Sequence, residues 1–205
     1  LAVTKRIPLA GGLGGGSSDA ATALVALDHL WGLGLGEDAL AALGLQLGAD
    51  VPVFVRGVTA LGEGVGERLA AADVAPAWFA IVHPGLAVAT GPVFQAPELT
   101  RNSVPVTIRG SFSPGWPAHE LPGRNDLEPV VAARHAPVRA ALDWLGHRGR
   151  ARLTGSGACV FAAYADERAA RAALEGLPAE WRGYVAAGLS RSPLQERLRG
   201  NPRRG

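Results

Sequence analysis

Ala10-Gly11-Gly12-Leu13-Gly14-Gly15-Gly16-Ser17-Ser18-Asp19 runs straight into Ala20-Ala21-Thr22-Ala23-Leu24-Val25-Ala26-Leu27-Asp28-His29-Leu30-Trp31. The second stretch is rich in helix formers, and its large apolar residues Leu24, Leu27 and Trp31 fall at i, i+3 and i+7. A helix is expected there, with Ser17 or Ser18 as N-cap and Asp19 near the positive end of its dipole. A loop of small residues opening into a helix lets successive backbone N–H groups converge on an anion. Its glycines let a phosphate approach the backbone closely, and the two serines add hydroxyl donors. A flexible linker is the alternative, but a linker does not feed a patterned, capped helix. Phosphate binding is the reading of this run.

Generic phosphate motifs do not fit it. A Walker A loop needs Gly-Lys-Ser/Thr, and no lysine follows these glycines. A dinucleotide fingerprint needs a third glycine where Ser17 stands.

Upstream, Leu1-Ala2-Val3-Thr4-Lys5-Arg6-Ile7-Pro8 reads as a strand-like run. The chain holds no Met and no charged-then-apolar leader at its start, so a further N-terminal segment is expected to precede it. Downstream, residues 37–47 form a second helical pattern with Leu40, Leu43 and Leu47 on one side and Gly48 as a stop. Asp50 follows, then Val51-Pro52-Val53-Phe54-Val55, read as a short strand. Residues 57–66 suggest a turn and an irregular strand, and a Pro/Ala-rich stretch at 70–77 marks a domain boundary.

The second half has its own rhythm. Residues 78–82 read as a buried strand, and the proline-rich stretch 97–123 as a long loop. Short helices are expected at 126–134 and 138–145, and strands at 152–153 and 158–164 around Thr154-Gly155-Ser156-Gly157. A helix at 166–174 and a strand at 183–187 follow. Helices on one face of an antiparallel sheet make this an α+β sandwich.

Composition bounds the function. Of 205 residues 48% are hydrophobic and 19% charged, enough for a packed core and against wholesale disorder. No apolar run reaches the roughly 18 residues of a membrane helix. One cysteine, Cys159, cannot form an internal disulfide or a thiolate metal site, and a reduced, cytoplasmic chain is expected. The net charge is +2, and five of the 19 arginines lie in the last fifteen residues, leaving a slightly acidic body. Such a tail could bind nucleic acid, but no aromatic residues are interleaved with it. The five histidines show no metal-ligand spacing.

Pro8-Leu9-Ala10-Gly11-Gly12-Leu13-Gly14-Gly15-Gly16-Ser17-Ser18-Asp19-Ala20-Ala21 resembles the phosphate loop of the GHMP kinases, whose pattern is P-x-x-x-G-L-G-S-S-A-A. Three further segments agree, in the family's order: Leu47-Gly48-Ala49-Asp50-Val51-Pro52-Val53-Phe54, Leu153-Thr154-Gly155-Ser156-Gly157-Ala158-Cys159-Val160-Phe161, and Gly188-Leu189-Ser190-Arg191-Ser192-Pro193-Leu194. The resemblance covers nearly the whole chain. It implies a two-domain α+β fold, with an incomplete N-terminal part like domain 2 of ribosomal protein S5 and a ferredoxin-like C-terminal sandwich. The expected division is 1–72, 73–194 and a frayed basic tail, 195–205.

The resemblance also implies a chemistry. It places ATP on Pro8, Leu9, Ala10, Gly11, Gly12, Leu13, Gly14, Gly15, Gly16, Ser17 and Ser18, with Mg²⁺ bridging the phosphates. Asp50 takes the place of the family's general base, held partly buried between helix and strand. Gly155, Ser156 and Gly157 form the third motif, which helps close the site or is simply a hairpin turn. Thr90 and Phe94 fall at the substrate wall, where Phe94 could stack on a pyrimidine or be an ordinary core ring. The family's catalytic lysine lies in the expected upstream segment, and Lys5 does not match it. Metal ligands are not assigned. Within the family, the glycine run and Gly-Ala-Asp-Val-Pro favour phosphorylation of the 2-hydroxyl of 4-diphosphocytidyl-2-C-methyl-D-erythritol in non-mevalonate isoprenoid synthesis. A homoserine- or mevalonate-type kinase, a catalytically silent nucleotide-binding fragment and a nucleic-acid-binding module are the alternatives.

Overall fold

The computed structural model describes residues 1–103 and 123–200. Most of the loop expected over 97–123, and the end of the basic tail, lie outside the described residues. The chain divides into two compact units. The first holds Leu1–Thr4, Gly14–Asp73 and the residues from Leu189 on; the second holds Lys5–Leu13 and Val74–Gly188.

The first unit is built on helices α1 (Gly15–Trp31), α2 (Glu37–Leu47), α3 (Val51–Arg56) and α8 (Pro193–Gly200), with a hairpin of β1 (Ala60–Glu63) and β2 (Arg68–Ala71). Ala21, Val25, Leu40, Ala41, Val51 and Val55 form its core, with Leu194 and Leu198 of α8 against it. Residues 195–200, expected within a frayed tail, thus belong to a helix whose Leu198 packs on this core. The opening run, expected as a strand, pairs with no other described strand.

The buried stripe of α1 is Ala21, Val25 and Asp28, while Trp31 is 66% exposed. Small side chains admit neighbouring helices more closely than Leu24, Leu27 and Trp31 would. The buried Asp28 carboxylate accepts the Leu35 N–H at 2.8 Å, fastening the connection to α2. In α2 the inward residues are Leu40, Ala41 and Gly44, with Leu43 and Leu47 outside. A β-carbon on Gly44 would stand 2.8 Å from Val51 Cγ1, so α3 packs on the α2 backbone.

Residues 51–55 are helical, which corrects the strand expected from their valines. Pro52 sits in the first turn, where its fixed φ and missing N–H cost nothing. Val51 and Val55, spaced i and i+4, both turn into the core. Arg56 closes the helix by donating to Glu37 and Asp38, each at 2.9 Å.

The second unit is a four-stranded antiparallel sheet in the order β4 (Arg152–Leu153), β5 (Val160–Tyr164), β3 (Trp78–His83), β6 (Arg182–Ala187). Helices α4 (Thr90–Phe94), α5 (Glu128–Arg134), α6 (Ala136–Gly146) and α7 (Glu167–Ala172) complete it. Leaving the short α4 and α5 aside, the connectivity is β-α-β-β-α-β, the ferredoxin-like arrangement. Alternate residues Ala80 and Val82 of β3, with Val160 and Ala162 of β5, meet Val138, Ala141 and Leu145 of α6 and Ala170 of α7. Asp166 caps α7 by accepting the Ala169 N–H at 2.8 Å.

Candidate active site

The glycine-rich run is built in two pieces. From Gly14 on it belongs to the first unit, where α1 begins at Gly15 with Gly14 as N-cap at φ 66°, ψ 12°. This corrects Ser17 and Ser18, which lie inside the first turn, and places Asp19 beyond it. No side chain caps the helix. Its first internal bond runs from the Ser18 N–H to the Gly14 carbonyl at 2.9 Å. The N–H groups of Gly15, Gly16 and Ser17 therefore precede the helical ladder and project at the positive end of the dipole. A β-carbon at Gly16 would meet nothing within 4 Å, and Gly16 itself is exposed.

Asp50 lies in the same unit. It is the N-cap residue of α3 with near-helical backbone angles (φ −85°, ψ −10°), and its carboxylate makes no capping bond. Its side chain is exposed, not partly buried as expected. Asp50 and Phe54 are one turn apart, and the Phe54 ring abuts Gly14 at the start of α1. The face of α3 that carries Asp50 is thus the face turned to the uncapped α1 N-terminus. A carboxylate on such a face can accept a hydroxyl proton while unladdered backbone N–H groups hold a phosphoryl group.

The earlier half of the run, to Leu13, belongs to the second unit and is fastened to the third motif. Ala158 and Cys159 donate backbone N–H groups to the Ala10 and Gly11 carbonyls at 3.2 and 3.1 Å. The Thr154 hydroxyl donates to the Gly12 carbonyl at 2.8 Å. Gly12 has φ 73°, and a β-carbon there would run into the Thr154 carbonyl oxygen. Ser156 is buried, and its hydroxyl pairs with that of Thr90 at 2.8 Å. Gly155, Ser156 and Gly157 therefore support the loop and α4 together, beyond the role of a simple hairpin.

Thr90 and Phe94 open and close α4. Phe94 is 55% exposed, which removes the reading as a core ring. Arg134 holds this segment from α5, gripping Glu98 through Nε and Nη2 (2.6 and 3.0 Å) and donating to the Pro92 carbonyl at 3.2 Å. Arg101 donates to the Phe94 and Ala96 carbonyls at 2.7 and 3.1 Å. Cys159 is wholly buried, and burial pushes its thiol up to about 12, so it is a packing residue. Among the described residues no three His, Cys, Asp or Glu side chains form a cluster that could hold a metal ion.

Nothing in the sequence marked Asn125 or Arg134, and Thr154 stood out only as part of the third motif, not as a partner of Gly12. An Asn ahead of a helix looks like an ordinary capping residue, and nothing local reveals partners some thirty residues away.

The N-terminal domain profile of the GHMP kinases matches residues 1–58, and their C-terminal profile matches 116–183. A crystal structure of 4-(cytidine 5'-diphospho)-2C-methyl-D-erythritol kinase superposes with a TM-score of 0.70 at 32% identity, over 89% of this chain and 68% of that one. This chain belongs to the GHMP kinase family. Among curated GHMP kinases, it is 55% identical to the 4-diphosphocytidyl-2-C-methyl-D-erythritol kinase of Halorhodospira halophila over 94% of its length, and 54% identical to that of Alkalilimnicola ehrlichii over 98%. The chain spans 65% and 66% of those two relatives. A homoserine kinase from Cytophaga hutchinsonii shares the fold, with a TM-score of 0.65 at 18% identity.

Proposed function

We propose that this GHMP kinase transfers the γ-phosphoryl group of ATP to the 2-hydroxyl of 4-diphosphocytidyl-2-C-methyl-D-erythritol. The acceptor is supported by the curated relatives above 50% identity, which are named for it. The phosphoryl chemistry is supported by one observation: the Phe54 ring, one turn on from Asp50, abuts Gly14 at the uncapped start of α1. In that chemistry the acceptor oxygen attacks the γ-phosphorus, its proton passes to the Asp50 carboxylate, and ADP leaves with the bridging oxygen. Backbone N–H groups from Gly11 to Ser18, on the loop that begins at Pro8, would neutralise the phosphates.

Magnesium fits as an ion carried by the nucleotide. Mg²⁺ keeps several waters and needs only one or two carboxylates beside substrate phosphates. It would neutralise charge on the transferring group. Residues 1–72 would carry the phosphate chemistry, and residues 73–194, with Thr90 and Phe94, the acceptor wall. A buried free thiol suits the reducing cytoplasm.

ADP release by the full natural protein tests the reading, with the cytidine-bearing acceptor, homoserine and mevalonate compared. Turnover on the first alone, lost in Asp50→Asn, is the expected result. No turnover on any of the three would leave a nucleotide-binding protein.

A further inference from the structure

Asn125 lies just ahead of α5 and uses its whole side-chain amide. Its Nδ2 donates to the Leu153 carbonyl at 3.0 Å and to the Gly155 carbonyl at 2.7 Å, and its Oδ1 accepts the Leu127 N–H at 3.0 Å. The chemistry of the partners sets the orientation, because two carbonyl oxygens need the NH₂ and an N–H needs the oxygen. Three residues on, Glu128 accepts the Leu153 N–H at 2.6 Å. One short segment therefore holds both backbone groups of Leu153 and the apex of the third motif.

The braced turn carries the loop. Thr154 follows Leu153 and donates through its hydroxyl to Gly12; Gly155 lies so close that a β-carbon on it would stand 3.2 Å from the Gly12 carbonyl oxygen. Beyond the turn, Ala158 and Cys159 donate to Ala10 and Gly11. Every described bond from the third motif to residues 10–12 thus leaves from a strand-and-turn segment whose entry is held by Asn125.

We propose that Asn125 is a positioning residue for the phosphate loop, setting residues 10–12 through the 153–157 turn without touching nucleotide. The functional half of this inference rests on the kinase reading above; the mechanical half does not. Only an amide serves. Aspartate has the same shape, but its carboxylate would face two carbonyl oxygens with no donor. Alanine would free both carbonyls and leave water to satisfy them.

The test compares Asn125→Asp and Asn125→Ala with Val138→Ala in the full natural protein. Val138 is a buried residue of the same unit that bonds to none of these groups through its side chain. Hydrogen exchange is read at the Ala158 and Cys159 amides without nucleotide, and KM for ATP and kcat are read separately. For Asn125→Asp we expect exchange at both amides about tenfold faster or more, and a KM for ATP raised about tenfold with kcat within about threefold. Asn125→Ala should follow in the same direction by less. Val138→Ala should lower thermal stability without selective exchange at those amides and without raising KM for ATP. Exchange at wild-type rates in Asn125→Asp, or the same selective exchange in Val138→Ala, would overturn the bracing. Faster exchange with an unchanged KM would overturn the positioning role. If the wild-type protein itself neither binds nor uses ATP, the kinase reading falls, and the exchange result still decides the bracing.

Discussion

The Phe54 ring of α3 occupies the space that a side chain on Gly14 would need: a β-carbon there would lie 2.7 Å from Phe54 Cζ. Gly14 is also left-handed, at φ 66°. Gly14→Ala therefore meets two separate penalties, about 1–2 kcal/mol for the backbone conformation and a further cost for displacing the ring. Thermal or urea unfolding of Gly14→Ala, Phe54→Ala and the double variant will separate them. We expect the double variant to lose less stability than the two single losses summed, because the collision is gone and only the φ penalty and the lost ring packing stay.

Asp50 is exposed and its carboxylate caps nothing, so its removal should leave the fold intact. We expect Asp50→Asn to unfold within about 0.5 kcal/mol of the wild type. Turnover should fall by about 10²- to 10⁴-fold, the range for a lost general base. Equilibrium unfolding and steady-state ADP release on the same preparation check both halves.

Phe94 closes α4 with more than half of its surface open, while its neighbour Val93 is buried. Truncating the two should separate binding from folding. Phe94→Ala is expected to raise KM for the cytidine-bearing acceptor by about tenfold, the loss of one stacked base, with a small change in melting temperature. Val93→Ala should instead lower the melting temperature and leave KM nearly unchanged. Equal effects of the two on KM would remove Phe94 from the acceptor wall.

Burial raises the Cys159 thiol from an ordinary 9.0 to about 12 in the folded chain. The native state thus keeps a proton that the unfolded state loses first. The contribution of this group to stability is whole below pH 9 and is lost as pH rises from 9 toward 12. We expect no alkylation of Cys159 by iodoacetamide at pH 8.5 in the native protein, and prompt labelling in denaturant. Cys159→Ala should flatten the decline of stability with pH in that window.

Much of the fold is legible in local pattern. The helix at 37–47 has the bounds read from its caps, Asp166 starts α7 as an aspartate before a helical run should, and the strands of the second unit lie within a few residues of their expected places. These elements depend on periodicity, caps and turns, all of which operate within a few residues. Where two patterns compete, local reading goes astray. Valines at 51, 53 and 55 suggest alternation, yet the core takes 51, 52 and 55 and leaves 53 only half-buried, which a helix supplies and a strand would not. In α1 the largest apolar residues are not the buried ones, because close helix packing selects Ala21 and Val25.

The sequence by itself determined that a glycine-rich loop enters a helix, that an aspartate follows the next helix, and that an α+β sandwich comes after. Those are properties of residues adjacent in the chain. Tertiary structure alone decided that Gly14 rather than a serine caps α1, that Asp50 shares a helical face with Phe54, and that Asn125 and Thr154 support the loop. Thr154 and Gly12 are 142 residues apart in sequence and 2.8 Å apart in space. A hydrogen bond of that kind has no local signature, because its geometry is set by sheet register and helix packing over the whole second unit.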